Sequence, residues 1–214
     1  MSEKSVPPRI WEYVSEHATK GDVDNVIDTI DQFCYKFENR ASNVGDVKGK
    51  YLDQIVRSCN PKIALEIGAY AGYSALRISR ALPADGKLYS IENNESFVEV
   101  TRKMITFAGM DNKITVLSGC SQDVIRSLKI SGFDFVFLDH TKELYKPDLL
   151  LLEECNLIHS GSVIAADNIV FPGCPEYLEY VRNSPKYDCT TYMSKLEYSD
   201  REDGIEKAVY KKQD

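Results

Sequence analysis

Leu65-Glu66-Ile67-Gly68-Ala69-Tyr70-Ala71-Gly72-Tyr73-Ser74 runs from an apolar stretch through two glycines into a segment of helical spacing. A short apolar run closed by glycine reads as a buried parallel strand, and Ile63–Ile67 is the first of five. The others are 88–91, 114–117, Phe133–Leu138 and 163–166, separated by helix-like segments at 74–82, 96–108, 122–128 and 147–155. Strand–helix alternation at this spacing predicts a doubly wound α/β sheet with right-handed crossovers. The tail breaks the pattern: Tyr187–Lys195 and 204–210 read as two β segments with no helix between, expected to pair antiparallel at one edge. Upstream, the first sixty residues read as helical. Asp22 is placed to cap a stripe of Val23, Val26, Ile27, Ile30, Phe33, Cys34 and Phe37, and a second stripe runs from Val47 through Tyr51, Leu52, Ile55 and Val56. Trp11 is expected to pack an N-terminal helix. One domain over 1–214 is expected, with 1–60 as a helical cap on a sheet core at 61–214.

The bulk composition excludes several classes. With 214 residues, 43% hydrophobic and 28% charged, the chain can bury a core, and it fits neither a disordered nor a fibrous protein. A net charge of −7 argues against nucleic acid, whose phosphates reward a basic face. It suits a cationic small molecule. The first twenty residues hold no apolar run, and no stretch reaches the length of a membrane helix. The six cysteines form no CxxC pair and read as reduced core thiols, so a cytoplasmic protein is expected.

Ligands of open α/β sheets sit beyond the carboxyl ends of the strands. At the first such end, Gly68 and Gly72 permit a tight turn and a close backbone approach, and the helix that follows offers free N–H groups, with the Ser74 hydroxyl beside them. The spacing is not the Gly-x-Gly-x-x-Gly of dinucleotide binders. The second strand runs into Glu92, which can accept both hydroxyls of a ribose. The third is followed by Gly119-Cys120-Ser121-Gln122, polar groups suited to an adenine edge. Each feature alone is ordinary strand-to-helix punctuation. Together they describe a nucleoside with a carboxylate and no diphosphate, which fits S-adenosylmethionine.

The fourth strand runs into Asp139-His140-Thr141-Lys142 and the fifth into Asp167-Asn168. Asp139, Asp167 and Asn168 would meet at one rim. Three oxygen ligands with no thiolate motif nearby suit a hard, hydrated cation, so magnesium is expected rather than zinc. The competing reading is that Asp and Asn are turn formers. Lys142 can serve as a base if neighbouring positive charge lowers its pKa, although its spacing alone favours a surface group. His17 and His159 belong to no motif, and the acidic run 197–203 reads by default as a solvated loop.

These residues resemble the catechol O-methyltransferase family. Asn43-Val44-Gly45-Asp46-Val47-Lys48-Gly49, the 66–74 stretch, Phe107-Ala108-Gly109, Gly119-Cys120-Ser121-Gln122-Asp123, Phe137-Leu138-Asp139-His140, Ala166-Asp167-Asn168, Pro172-Gly173-Cys174-Pro175 and Leu196-Glu197-Tyr198 carry the likeness in collinear order. It spans about Trp11 to Tyr210. The resemblance implies a seven-stranded, Rossmann-like, mostly parallel sheet flanked by helices, its last strand antiparallel, and magnesium-dependent methyl transfer from S-adenosylmethionine to a catechol. It implies a cytoplasmic monomer of catecholamine metabolism with a small-molecule substrate.

It also implies roles. Val44, Gly68, Tyr70 and Ser74 would hold the methionine part of the cofactor, with Glu66 at the same loop. Glu92 would take the ribose, while Gly119, Ser121, Gln122 and His140 would surround the adenine. Asp139, itself beside the cofactor, would bind magnesium with Asp167 and Asn168, and both catechol oxygens would complete the shell. Lys142 would be the base, Glu197 would hydrogen-bond the hydroxyl left unmethylated, and Asp139, Lys142, Asn168, Pro172 and Glu197 would contact substrate. Three positions depart from the pattern. Vertebrate members carry a tryptophan and a methionine just before the Asn43 position, where this chain has Arg40 and Ser42, and a tryptophan after the histidine, where it has Thr141. Those departures bear on the walls of the catechol and adenine pockets, and Arg40 is expected to favour substrates bearing a carboxylate. The remaining alternatives are another vicinal diol or phenolic substrate and a non-catalytic S-adenosylmethionine-binding protein; a nicotinamide dehydrogenase is disfavoured.

Overall fold

Ile63–Ile67, β1, lies at the centre of the parallel part of a sheet, where its side chains find apolar cover on both faces. A computed structural model describes residues 5–37 and 41–211. Three helices lead in: α1 (Val6–His17), α2 (Val23–Phe37) and α3 (Gly45–Cys59). After β1 come α4 (Tyr73–Ala81), β2 (Lys87–Glu92), α5 (Glu95–Phe107), β3 (Ile114–Ser118), α6 (Ser121–Ser127) and β4 (Phe133–Leu138). The chain ends with α7 (Tyr145–Glu154), β5 (Ile158–Ala166), α8 (Pro175–Asn183), β6 (Tyr187–Lys195) and β7 (Glu202–Tyr210). The sheet has seven strands in the order β3-β2-β1-β4-β5-β7-β6, the first five parallel. β7 runs antiparallel between β5 and β6, and its pairing with β6 extends from Tyr187 opposite Tyr210 to Lys195 opposite Glu202. The expected antiparallel tail is therefore present.

Alternation along the strands divides the core in two. Ala64, Phe135, Phe137, Val163 and Ala165 face the helices α1 to α5, while Leu65, Ile67, Val136, Leu138 and Ile164 face α6, α7 and α8. Each such side chain is worth roughly 1.5–3 kcal/mol of burial. Phe133 breaks the alternation and joins the second cluster, at the register shift between Phe133 and Phe135. Helix α3 lies against α4 and covers β6 and β7, and α1 packs on α5, where Trp11 meets Phe107 edge-on at 5.8 Å. Asp22 caps α2 as expected, its Oδ1 accepting the Asn25 N–H at 3.0 Å.

Three expectations need correction. β5 begins at Ile158 instead of 163, because the Ser162 hydroxyl bonds Phe133 O at 2.7 Å and accepts His159 N–H at 2.9 Å, carrying a polar stretch along β4. Helix α8 was not anticipated; Pro175 opens it, and Tyr177 and Val181, four apart, bury its inner face. Nor are all cysteines core groups. All six are free, Cys34 and Cys174 are buried, and Cys120 is exposed just before α6. No helix among the described residues is long and apolar enough to cross a membrane. Arg40 lies outside the described residues.

Candidate active site

The sheet changes winding direction between β1 and β4, and a crevice opens there at the strands' carboxyl ends. The ladder continues past the strands: Asp139 N–H bonds Ile67 O and Asp167 N–H bonds Leu138 O, both at 3.0 Å. Gly68, Asp139 and Asp167 therefore sit at one level on three adjacent strands. Gly68 has φ +102°, and a Cβ there would collide with the Asp139 carbonyl. Its close approach is to the neighbouring strand's backbone, which the sequence reading had assigned to a ligand.

One cleft of about 1080 Å³ occupies this rim. Gly68, Tyr70, Glu92, Gly119, Ser121 and His140 line one part of it, and Asp139, Lys142, Asn168, Pro172 and Glu197 line the other. Ser42 and Thr141 line it as well. Val44, Glu66, Ser74 and Asp167 are buried behind the wall, and Gln122 is half-buried outside it.

At the first part, the Glu92 carboxylate accepts the backbone N–H groups of Ala69 (3.2 Å), Tyr70 (2.9 Å) and Asn94 (2.9 Å). The glycine turn is thereby tied to the end of β2. Tyr70 meets Phe97 edge-on at 5.4 Å, an aromatic wall that no motif had signalled. His140 Nε2 is 2.9 Å from Asp148 Oδ2, while its buried Nδ1 has no protein partner. Beneath the turn, Glu66 is fully buried, with Ser90 donating to Oε2 and no hydrogen bond to Oε1. Burial pushes Glu66 up to about 7, against the Ser74 and Ser90 hydroxyls. A glycine turn, a carboxylate at the end of β2 and orphaned polar atoms at Glu66 and His140 fit a cationic nucleoside that carries its own donors.

The second part is organised by a buried cation. Lys48 Nζ lies 2.6 Å from Asp203 Oδ2, 2.8 Å from Asp167 Oδ1 and 3.0 Å from Glu197 Oε2. Burial works against the charge of Lys48, but the carboxylates of Asp167, Glu197 and Asp203 outweigh it and raise its pKa. Burial raises the Asp167 carboxyl, with Lys48 opposing and Asp139 adding to the rise. Burial likewise raises Glu197, whereas Lys48 and the N–H groups of Val170 and Phe171 overcome it at Asp203 and lower that carboxyl. Asp203 Oδ2 also accepts from the Asn168 amide nitrogen at 3.0 Å. A carboxylate only accepts, so the Asn168 amide oxygen is left free. Lys142 Nζ donates to Asp139 Oδ1 at 3.1 Å and to the buried Tyr145 hydroxyl at 2.6 Å. Asp139, Asn168 and Asp167, whose carboxylate also pairs with Lys48, thus supply oxygen donors at one rim. That donor set fits a hard divalent ion.

The sequence profile of O-methyltransferases matches residues 16–196. The chain belongs to the O-methyltransferase family. It is 47% identical over 206 residues to the catechol O-methyltransferase of Mus musculus, covering 94% of this chain and 77% of that protein. It is 44% identical over 214 residues to catechol O-methyltransferase B of Danio rerio, covering 98% and 81%. The structure of an O-methyltransferase from Bacillus cereus in complex with SAH superimposes with a TM-score of 0.76 at 24% identity, covering 95% of this chain and 97% of that one.

In this methyltransferase the acidic run 197–203 divides: Asp200 and Glu202 face solvent, whereas Glu197 and Asp203 turn inward onto Lys48. Sequence reasoning gave no site role to Lys48, Tyr145 or Phe97, and placed Arg201 and Asp203 in a solvated loop. Lys48 had a signal, since it lies within the 43–49 motif. Asp203 had none, because acids that pair across 155 residues of sequence leave no local pattern.

Proposed function

We propose that this O-methyltransferase transfers the methyl group of S-adenosylmethionine to one hydroxyl of a catechol, with magnesium. The observation that carries it is the single cleft joining a nucleoside-suited half to an oxygen-rich half beside a lysine. When bound, S-adenosylmethionine supplies the electrophilic methyl and magnesium acidifies the diol.

Glu92 holds the ribose end, and Glu66, Ser74 and the 68–72 turn hold the methionine end, with Tyr70 and Val44 nearby. Gly119, Ser121, Gln122 and His140 surround the base. Asp139, Asp167 and the Asn168 amide oxygen hold the metal. Lys142 takes the proton from the hydroxyl that reacts, and Tyr145 and Asp139 keep its nitrogen in place. Glu197 accepts from the other hydroxyl, and Pro172 flanks the ring. The chain's main contribution is positioning and exclusion of water rather than covalent chemistry. Six free cysteines support a cytoplasmic setting.

The test is mass spectrometry of products formed from catechol and labelled S-adenosylmethionine, with and without chelator. Monomethylated catechol that disappears on chelation and returns with magnesium is expected. Undiminished product in excess chelator overturns the metal's part, and no methylated diol overturns the substrate.

A further inference from the structure

Among the described residues, the cleft carries one positive group that this reaction leaves unused. Arg201 is exposed, lines the cleft, and lays its guanidinium carbon 3.3 Å from the centroid of the Phe171 ring. Among the described residues it forms no ion pair; of its acidic neighbours, Asp200 and Asp203 are taken by Lys195 and Lys48, and Glu202 is exposed. The backbone carrying each side of the stack is tied down. Arg201 O accepts the Leu196 N–H at 2.7 Å, and the Phe171 N–H is held by Asp203 Oδ1 at 3.2 Å. A guanidinium pinned on an aromatic face keeps its in-plane N–H donors free, and little rotamer freedom remains to be lost on binding.

Phe171 stands three residues beyond Asn168 on the same segment, so this wall leads outward from the oxygen cluster. A ring seated with its diol at Asp139 and Asn168 would direct its remaining substituent along that wall. We propose that Arg201 on Phe171 selects diols whose far end carries a carboxylate, by charge-assisted hydrogen bonds, and disfavours those ending in an ammonium. This rests on the catechol reading above. The other charged residues lining the cleft, Glu92, Asp139, Lys142, Glu143 and Glu197, are common to every diol and do not discriminate the far end.

The experiment compares three catechols bearing an acetate, an aminoethyl or a methyl group, in the parent, Arg201→Gln and Arg201→Glu. Dissociation constants are measured on protein loaded with S-adenosylhomocysteine and magnesium, alongside KM and kcat. In the parent the acetate should bind tightest. Arg201→Gln should weaken the acetate relative to the methyl compound by roughly two- to fivefold, the upper part of the range of a solvent-exposed ion pair. Arg201→Glu should invert the order of acetate and amine. Equal shifts for all three compounds, or none, overturn the role of Arg201 while turnover upholds the catechol reading. Carboxylate-selective binding without turnover of any compound does the reverse.

Discussion

Lys48 Nζ and Asp203 Oδ2 lie 2.6 Å apart with both side chains wholly buried, and the same ammonium reaches Asp167 and Glu197. One cation from α3 thus joins the ends of β5 and β7. Asp203 passes the constraint on, accepting from Asn168, Val170 and Phe171 along the segment that follows β5. Removing one partner of such a cluster strands the others as unpaired buried charge. Lys48→Met should therefore lose about 3–5 kcal/mol in urea unfolding. Adding Asp203→Asn should recover part of that loss. Additive losses would show that the two groups are not coupled.

Glu66 gives a pH dependence of definite sign. Its carboxyl is raised from the usual 4.5 to about 7 in the fold, so the native state favours the protonated form. The cost of ionising it begins to grow as pH passes the unfolded value and levels off above the folded one. Glu66→Gln never ionises there. Its stability relative to the parent should rise across that window toward at most about 3 kcal/mol and be near zero at about pH 4. Melting temperatures of the two proteins along a pH series measure this, and a constant difference would mean that Glu66 titrates as it does in the unfolded chain.

Lys142 is anchored on Tyr145 and Asp139, but its side chain keeps some exposure to the cleft. Lys142→Ala should lower kcat by about two to four orders of magnitude, the usual share of a general base. Affinity for S-adenosylmethionine should hold, because Glu92 and the glycine turn are untouched. Lys142→Arg should not restore the rate, since a guanidinium does not give up its proton. A restored rate would make the residue a fixed charge rather than a base.

Most strands could be read from the chain because each is a short, mostly apolar run closed by glycine or acid, a signal that survives without tertiary context. Ile63–Ile67 and Phe133–Leu138 match their expected bounds residue for residue. β5 could not, because its first half carries His159, Ser160 and Ser162 and is held by a side-chain hydroxyl instead of an apolar face. The acids and lysine at strand ends were visible for the same local reason. The cation between them was not, since Lys48 reads as one more polar position on a helix until the fold brings Asp167, Glu197 and Asp203 around it. Arg201 on Phe171 is likewise a contact between distant segments.

Gly45 shows how closely α3 and the Glu197 segment are fitted. It has φ +70°, and a Cβ on it would stand 2.8 Å from Glu197 Cβ and 3.1 Å from Glu197 Cα. These are backbone-level contacts, so no rotamer change relieves them. Gly45→Ala must either push the Glu197 segment outward or shift the start of α3, which carries Lys48 three residues on. The left-handed φ adds strain of about 1 kcal/mol for any side chain. Glu197 is the proposed partner of the unreacting hydroxyl, so its displacement should raise KM for a catechol several-fold or more. Affinity for S-adenosylmethionine should change much less, because Glu92 and the 68–72 turn lie on the far half of the cleft. Calorimetric titration with the cofactor, set beside steady-state kinetics on one catechol, separates the two halves. Equal losses at both would mean that the substitution disturbs the fold as a whole, and an unchanged KM would remove Glu197 from contact with the diol.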